Sequence, residues 1–392
     1  MKTFTGVDFL SIGDTFTEEE KIVRQSIRNF VDNEFMPRIQ KAFRECRFPM
    51  EVVQRMGELG VFGSHINGYS CTKLNSISYG LMMQELERGD SALRSFASVQ
   101  GGLSMTAIHE FGNEEQKNYW LPKLARAEKF ACFGLTEPDF GSNPSGMRTI
   151  AVKDGKNYIL NGAKMWITNG TIADVAVIWA KTEKDNPKSI RGFLVEKGTR
   201  GFNATDIHGK ISMRASITSE LSLEDCRIPE ENILPKSAGL KSPLICLTQA
   251  RFGIIWGVIG AAMACYEEVV NYAQERIQFS KPIAGYQLIQ EKFVWMLNEI
   301  TKAQLLAWRI AKLKEDGQLK HYHVSLAKMN NVRIALEIAR AARDILGASG
   351  ITDEYQSMRH MCNLESVYTY EGTNNIHLLV LGEHITGISA FD

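Results

Sequence analysis

Hydrophobic and polar positions follow a helical rhythm through the first third of the chain, from Thr17 to about Leu124. The segment "TEEEKIVRQSIRNFV" opens with Thr17 and Glu20 at capping-box spacing. Apolar residues then recur at steps of three and four, as on one face of an α-helix: Ile22, Val23, Ile27, Phe30 and Val31. The pattern predicts an amino-terminal helical domain.

Between about Phe130 and Pro235 short β-rich runs replace the helical pattern. "NYILNG", "DVAVIWA" and "RGFLVE" are separated by turn signals such as "DGK" and "DNPKS", which predicts a small sheet or barrel. Helices then return, and "EKFVWMLNEITKAQLLAWRIAKL" carries the apolar seam of an antiparallel bundle: Phe293, Met296, Ile300, Ala303, Ala307 and Ile310. We predict a mainly α protein with a middle β domain and boundaries at 1–130, 131–238 and 239–392.

Charge and cysteine content narrow the class of protein. The 392 residues contain 45 basic and 45 acidic side chains, so no overall charge favours nucleic acid or an anionic membrane. The seven cysteines show no C-x-x-C spacing, which favours reduced thiols over disulfides or a metal site. No long apolar stretch predicts a membrane span. The start "MKTFTGVDFL" resembles neither a signal peptide nor a transit sequence, so we expect a cytoplasmic protein, or a mitochondrial matrix protein if the chain is a processed eukaryotic form.

Two phrases at the entry to the β zone could hold a ligand. "FGLTEPDFGSNPS" predicts a strand leading into a turn-rich loop with hydroxyl groups at Thr136, Ser142 and Ser145. "KMWITNG" offers Trp166 as a flat stacking surface, with Thr168 on the same strand face. A plain turn and a core tryptophan are the alternatives. Neither G-x-G-x-x-G nor G-x-x-x-x-G-K-[ST] occurs, so the sequence supports neither a Rossmann fold nor a P-loop fold.

A third phrase, "TYEGTNN", places the acidic Glu371 among turn-forming residues near the carboxyl end. On this stretch alone, Glu371 could simply cap or punctuate a helix.

Taken together, the ordered phrases resemble the acyl-CoA dehydrogenase family over almost the whole chain. The resemblance rests on "LTEPDFGS", "WITNG", "ERIQFSKPIAGYQLIQ", "ARDILGASGI" and "YEGTNNI". It implies an amino-terminal helical domain, a β-barrel-like middle domain and a carboxy-terminal four-helix bundle. It also implies FAD bound between the last two domains, and a homotetramer.

The resemblance assigns cofactor contacts residue by residue. Leu135, Thr136 and Ser142 would hold the flavin ring, with Trp166 and Thr168 beside its reactive N5. The FAD of a neighbouring subunit would be reached by Arg276, Phe279 and Gln287. The diphosphate and adenosine end of the same cofactor would be contacted by Thr373 and Asn375.

Glu371 matches the family's catalytic base. The α-hydrogens of a thioester are weakly acidic, so a carboxylate must lie against Cα in a dry pocket that raises its basicity. The resemblance implies that hydride leaves Cβ for the flavin, while the Glu371 backbone N–H and a flavin hydroxyl hold the thioester oxygen. Arg251 matches an arginine of the acyl-CoA channel, with a surface cation as the alternative.

Substrate choice points to "ELERGDSALRSFASVQ". Arg94 and Ser98 form a helical i,i+4 pair, and Glu87 would share their face if "GDS" did not break the helix at Asp90. Arg94 coincides with the arginine that clamps the distal carboxylate in glutaryl-CoA dehydrogenases, and Glu87 and Tyr370 match the decarboxylating subfamily. The alternatives are surface pairs, of Arg94 with Asp90 and of Glu87 with Arg88 or another basic neighbour.

Three positions depart from the family pattern. Asn143 replaces an aspartate, Ala348 replaces a glycine in the G-G-x-G turn, and Asp344 stands where many relatives carry glutamine. The expected reaction is FAD-dependent dehydrogenation and decarboxylation of glutaryl-CoA, with electrons passed to electron-transferring flavoprotein. Open alternatives are a non-decarboxylating or bulky-chain dehydrogenase, an oxidase, and an inactive helical scaffold that binds acyl-CoA.

Overall fold

The computed structural model describes residue 4 and residues 6–391. The amino-terminal part is helical, and its first helix begins with the expected capping box between Thr17 and Glu20. In the described residues its α-helices are α1 Glu18–Phe30, α2 Met36–Arg44, α3 Val53–Glu58, α4 Ser76–Gly89, α5 Ser91–Ala97, α6 Thr106–Phe111 and α7 Glu114–Ala125. Two π-helical segments, Val31–Phe35 and Ser98–Met105, join α1 to α2 and α5 to α6.

The middle part is a seven-stranded sheet built around β4, which pairs with β1, β2 and β5. The strands are β1 Ala131–Gly134, β2 Ile150–Asp154, β3 Asn157–Thr168, β4 Val175–Lys181, β5 Ile190–Glu196, β6 Phe202–Asp206 and β7 Thr218–Pro229. The three β-rich runs seen in the sequence are β3, β4 and β5, so the prediction of a middle β domain is confirmed.

The carboxy-terminal part is a helical bundle in which α10 packs against each of the other helices. Its helices are α8 Lys241–Glu275, α9 Gln287–Glu315, α10 His321–Ile345, α11 Ser357–Thr369 and α12 Asn374–Thr386. A short hairpin, β8 Ile277–Gln278 and β9 Lys281–Pro282, joins α8 to α9. The predicted seam of α9 is buried from Met296 to Ile310, with Phe293 partly buried at its start.

Helix α8 is the central helix of the protein, packed against α4 on one side and α10 on the other. It is long and apolar enough by length and composition to cross a membrane, with a mean hydropathy of 1.5 over its most apolar window. The sequence reading missed this stretch. Since 67% of that window is buried within the protein, α8 has the contacts of a core helix.

A buried ion pair at Asp90 fastens the amino-terminal helices to the bundle. Asp90 caps α5 by accepting from the backbone N–H of Ala92 at 2.7 Å. Its other oxygen accepts from Arg359 Nη1 at 2.5 Å and from Asn363 Nδ2 at 2.9 Å, both on α11. Asn363 in turn accepts from the backbone N–H of Met213 in the middle domain at 2.9 Å. Asp90 and Asn363 together thus link three parts of the chain.

We predict that Asp90→Ala destabilises the protein by about 3–5 kcal/mol, because it leaves the Arg359 guanidinium buried without its partner. Denaturant-induced unfolding measures the effect. Asp154→Ala is the matched control, since Asp154 pairs with Arg227 and both side chains are more than half exposed. A surface pair of this kind contributes little. Equal losses in the two variants would contradict a special role for Asp90.

Candidate active site

Glu371 lies in the turn between α11 and α12 and has a left-handed backbone, with φ of 52°. Tyr370 before it is extended and Gly372 after it has φ of 92°. A glutamate pays a steric penalty in this conformation, so the surrounding structure must hold it there. Strained residues of this type concentrate at functional sites.

Two cations hold the backbone of this turn. Arg251 of α8 donates from Nε to the carbonyl of Glu371 at 2.6 Å. Lys328 of α10 donates from Nζ to the carbonyls of Tyr370 and Gly372, at 2.8 and 2.7 Å. Arg251 is therefore part of the site and not a surface cation. The sequence reading missed Lys328, because an ordinary helical lysine carries no motif.

Glu371 is half-buried, and its buried Oε2 atom has no hydrogen-bond partner among the described residues. Burial raises the pKa of Glu371, while the nearby charges of Arg94, Arg251 and Lys328 oppose the rise. An unpaired, poorly solvated carboxylate is a stronger base than an exposed one. The arrangement suits proton abstraction from a bound substrate.

Arg94 and Glu87 form a fully buried ion pair beside Glu371. The Nε atom of Arg94 donates to Glu87 Oε2 at 2.7 Å, and Nη2 donates to the hydroxyl group of Tyr370. Burial alone would lower the pKa of Arg94, but Glu87 raises it above its ordinary value, so the guanidinium stays charged. Both surface-pair alternatives are therefore wrong: neither Arg94 nor Glu87 has any exposed area.

The chain breaks at Asp90 between α4 and α5, yet Glu87 and Arg94 still meet across the break. They fit because Gly257 of α8 lies opposite. A Cβ atom at that position would come within 2.1 Å of Glu87 Oε2. Gly257 was not predicted from the sequence, because a glycine inside a long helix does not indicate which group packs against it.

Several buried polar atoms near Arg94 have no partner in the described part of the chain. They include Arg94 Nη1, Ser98 Oγ and the Tyr79 hydroxyl group. The Ser98 and Tyr79 oxygens face the same point on the neighbouring backbone, each 3.5 Å from where a Cβ of Gly102 would lie. Buried polar groups are normally paired, so this cluster has the character of a binding site for an anionic or polar group.

The predicted flavin loop follows β1 and is tied to β3, where the backbone N–H of Met165 donates to the Thr136 carbonyl at 2.9 Å. A bulge interrupts β3 between Lys164 and Ile167. Trp166, within the bulge, has φ of 63° and is 59% exposed. The expected simple alternation of Trp166 and Thr168 is thus wrong. A bulge re-aims a side chain, and here it leaves more than half of the Trp166 surface exposed, where a flat ligand could stack on it.

A buried ion pair supports this loop. Lys164 Nζ donates to Glu137 Oε1 at 2.8 Å and to the Leu135 carbonyl at 3.2 Å. Burial lowers the pKa of Lys164 to about 8, although Glu137 opposes that shift. Glu137 also accepts from the backbone N–H groups of Arg148 and Thr149. The pair fixes Leu135 and Thr136, and the acidic residue of the T-E-P phrase was the available signal.

The remaining predicted cofactor residues lie at exposed or terminal positions. Ser142 is exposed on the loop after β1, and Arg276 and Phe279 belong to the β8–β9 hairpin, where Phe279 is 91% exposed. Gln287 begins α9. No hydrogen bond among the described residues joins this hairpin to the Trp166 loop. Two residues lie at the start of α12: Thr373, whose hydroxyl group accepts from Ile376 N at 3.2 Å, and Asn375, which is exposed.

The three departures from the family pattern have local explanations. Asn143 accepts from Ser145 Oγ at 2.5 Å within the exposed loop. Ala348 avoids a positive φ because Gly347, at 61°, takes the left-handed position of the turn. Asp344 pairs with Lys292 at 2.5 Å on the surface, and that hydrogen bond lowers its pKa.

Comparison with known families covers nearly the whole chain. The acyl-CoA dehydrogenase N-terminal, middle and C-terminal domain models match residues 17–128, 132–226 and 237–386. The chain belongs to the acyl-CoA dehydrogenase family. Family members are FAD-dependent, and FAD is the cofactor. The exposed Trp166 face and the braced loop beside it fit a flat ring held at the edge of the middle domain.

Individual relatives divide between two substrate classes. A glutaryl-CoA dehydrogenase from Mycobacterium smegmatis, solved in complex with FADH2, is 49% identical with full coverage of both chains and a TM-score of 0.97. A glutaryl-coenzyme A dehydrogenase solved with glutaryl-CoA is 32% identical over 96% of this chain and 98% of the other, with a TM-score of 0.91. The short-chain specific acyl-CoA dehydrogenase of Clostridium acetobutylicum is 33% identical over 94% of this chain and 98% of its own length.

We predict that Glu371→Gln retains FAD but slows flavin reduction by an acyl-CoA substrate by at least about 10²-fold, the usual loss on removing a general base. In the unchanged protein only the carboxylate can take the proton. The reduction rate should therefore rise with pH through the raised pKa of Glu371. Single-turnover absorbance measurements at several pH values test both points. A near-normal rate in the variant would assign the proton to another residue.

Proposed function

We propose that the protein is an FAD-dependent glutaryl-CoA dehydrogenase that also decarboxylates its product, yielding crotonyl-CoA and CO₂. The observation that carries the proposal is the buried Arg94, held by Glu87 and Tyr370 next to Glu371. One of its guanidinium nitrogens, Nη1, has no partner among the described residues. The 49% identity to the Mycobacterium smegmatis enzyme supports the same substrate.

A distal carboxylate is the group that this site would recognise. A straight-chain acyl group would leave Nη1 of Arg94 without a partner, at a cost of about 1–3 kcal/mol for a buried polar group. A carboxylate would accept from Nη1, and the unpaired Ser98 hydroxyl group could donate to its other oxygen. Substrate and Glu87 would then share the positive charge of one arginine.

Dehydrogenation begins with the proton on the α-carbon of the thioester. Glu371 removes it as the carboxylate, from a turn whose backbone is held in the left-handed conformation. FAD, held beside Trp166 and the Leu135–Thr136 loop, would supply the acceptor for the hydride that leaves the β-carbon. The residues of the chain supply alignment: Arg94 at the distal end of the substrate and Glu371 at the α-carbon define its position between them.

Decarboxylation would follow because the new double bond conjugates the thioester with the carbon that bears the distal carboxylate. Cleavage of that C–C bond releases CO₂ and leaves its electron pair delocalised into the thioester as a dienolate. Protonated Glu371 then returns its proton to the terminal carbon. Glu87 assists by competing for Arg94, whose grip on the departing carboxylate must weaken as charge moves inward.

A short-chain acyl-CoA dehydrogenase is the second candidate, favoured by the 33% identity to the Clostridium acetobutylicum enzyme. That activity requires the same base but no partner for Arg94. The full burial of Arg94 beside the base favours glutaryl-CoA, because a buried cation with a free donor is costly in a pocket for apolar chains.

We also propose a homotetramer that passes its electrons to electron-transferring flavoprotein. Large apolar side chains are exposed on the β8–β9 hairpin and along α9: Phe279, Leu288 and Val294 are 91%, 75% and 70% exposed. Exposed apolar surface of this extent is typical of an interface. Light scattering gives the subunit number, and a dye-coupled assay with and without electron-transferring flavoprotein tests the acceptor against dioxygen.

We predict that glutaryl-CoA reduces the bound flavin and that crotonyl-CoA and CO₂ accumulate when an artificial electron acceptor is present. Chromatographic separation of the thioesters decides the outcome. Glutaconyl-CoA without crotonyl-CoA would leave a dehydrogenase and contradict the decarboxylation. Flavin reduction by butyryl-CoA but not by glutaryl-CoA would favour the short-chain alternative.

We predict that Arg94→Gln loses at least about 10²-fold in the rate of flavin reduction with glutaryl-CoA but much less with butyryl-CoA. Glu87 loses its partner with either substrate, whereas only glutaryl-CoA brings a second carboxylate that then lacks one. Both rates come from the same single-turnover assay, so butyryl-CoA controls for folding and FAD content. Equal losses on both substrates would show that Arg94 serves only the structure of the site.

A further inference from the structure

Lys328 is a buried cation that touches the base-bearing turn without pairing to a carboxylate. Its residue is 1% exposed, and its ammonium group donates to the carbonyls on either side of Glu371. Isolated buried charges are costly, so a lysine used only as a backbone cap would be an expensive choice where a neutral donor would serve.

The contacts of Lys328 and Arg251 form a continuous set along the turn. Three consecutive carbonyls, those of residues 370, 371 and 372, each accept a hydrogen bond from one of these two cations. Carbonyl groups that converge in this way require an unusual backbone, and Glu371 has the left-handed conformation that supplies it. The two cations thus stabilise the left-handed backbone conformation from which the Glu371 side chain extends.

We propose that Lys328 is a positioning residue for the general base: it holds the Glu371 turn in its left-handed form and favours the ionised carboxylate. The identity of the substrate rests on the proposed function, but the role of Lys328 depends only on Glu371 acting as the base. It would hold for any acyl-CoA that the enzyme oxidises.

Electrostatic coupling agrees with this geometry. Burial lowers the pKa of Lys328 to about 7, with Arg251 and Arg94 adding to the fall and Glu371 opposing it. Lys328 in turn lowers the pKa of Glu371 against the effect of burial. Each charged form therefore supports the other. When Glu371 takes the substrate proton, its carboxyl group becomes neutral and no longer stabilises the charged ammonium group of Lys328. When Glu371 gives the proton back, that attraction returns.

Other groups near the base do not duplicate this role. Those facing Glu371 or Lys328 come from α4, α5, α8, α12 and the turn itself: Tyr79, Glu87, Arg94, Arg251, His377 and Tyr370. Burial lowers the pKa of His377 to about 2, so that imidazole is neutral. Arg94 is bonded to Glu87 and Tyr370, and Arg251 holds the central carbonyl. Among the described residues, only the side chain of Lys328 donates to both flanking carbonyls.

The test compares Lys328→Met with Lys117→Met, a change of the same type in α7. Lys117 is 8% exposed and pairs with Glu114. With FAD content matched, Lys328→Met should slow flavin reduction by about 10²-fold, the loss expected from a misplaced catalytic group. Its rate–pH profile should also move to higher pH, because the carboxylate loses a neighbouring positive charge. Lys117→Met should keep the rate and profile of the unchanged protein.

Two further measurements separate positioning from folding. Ethylammonium ions should partly restore the rate of Lys328→Ala and should have no effect on Glu371→Gln. Infrared difference spectra taken across a pH titration without substrate should show the Glu371 carboxyl band, identified by its loss in Glu371→Gln, titrating at higher pH in Lys328→Met.

A lower unfolding midpoint with an unchanged rate–pH profile and an unmoved carboxyl band would overturn the proposal and leave Lys328 a structural cap. Since the infrared readout needs no substrate, it stands even if glutaryl-CoA fails to reduce the flavin. In that case the proposed function fails, and the Lys328 comparison is made with butyryl-CoA.

Discussion

The site depends on one constraint: a glutamate must keep a backbone conformation that its side chain disfavours. The penalty is of order 1–3 kcal/mol, and hydrogen bonds from Arg251 and Lys328 to three successive carbonyls offset it. These cations stand on α8 and α10, so the turn is correct only when both helices are in register. The packing of the bundle therefore fixes the positions of the three peptide groups around Glu371.

The site also depends on the close approach of α8 to α4. Gly257 leaves room for the carboxylate of Glu87, and Gly260 lies so near α4 that a Cβ atom would come within 1.9 Å of the Gln84 carbonyl. Tight helix contact excludes water from the Arg94–Glu87 pair, which strengthens its electrostatics. It also explains why α8 is apolar enough to resemble a membrane helix while lying inside the protein.

The sequence predicted the architecture well, because helical and strand periodicities are local signals. Capping of α1, the strands β3 to β5 and the seam of α9 could all be read from spacing. The motif phrases located Glu371 and Trp166, but the left-handed backbone conformation at both positions could not be predicted from them. Lys328 and Gly257 could not be found either. Each gains its meaning from a partner far away in the chain, and no local pattern records such a contact.

The Asp90 junction has a consequence for engineering acyl preference. Arg94 lies one turn beyond Asp90, and Asp90 is bonded to Arg359 of α11, the helix that runs directly into Tyr370 and Glu371. The group that would recognise the far end of the proposed substrate and the group that would remove its α-proton are therefore parts of one mechanical unit. Arg94 placed alone in a protein that lacks these contacts would be a buried charge without the residues that hold it. A workable graft would have to carry the α4–α5 break, its α11 partners and the glycine of α8 as a single module.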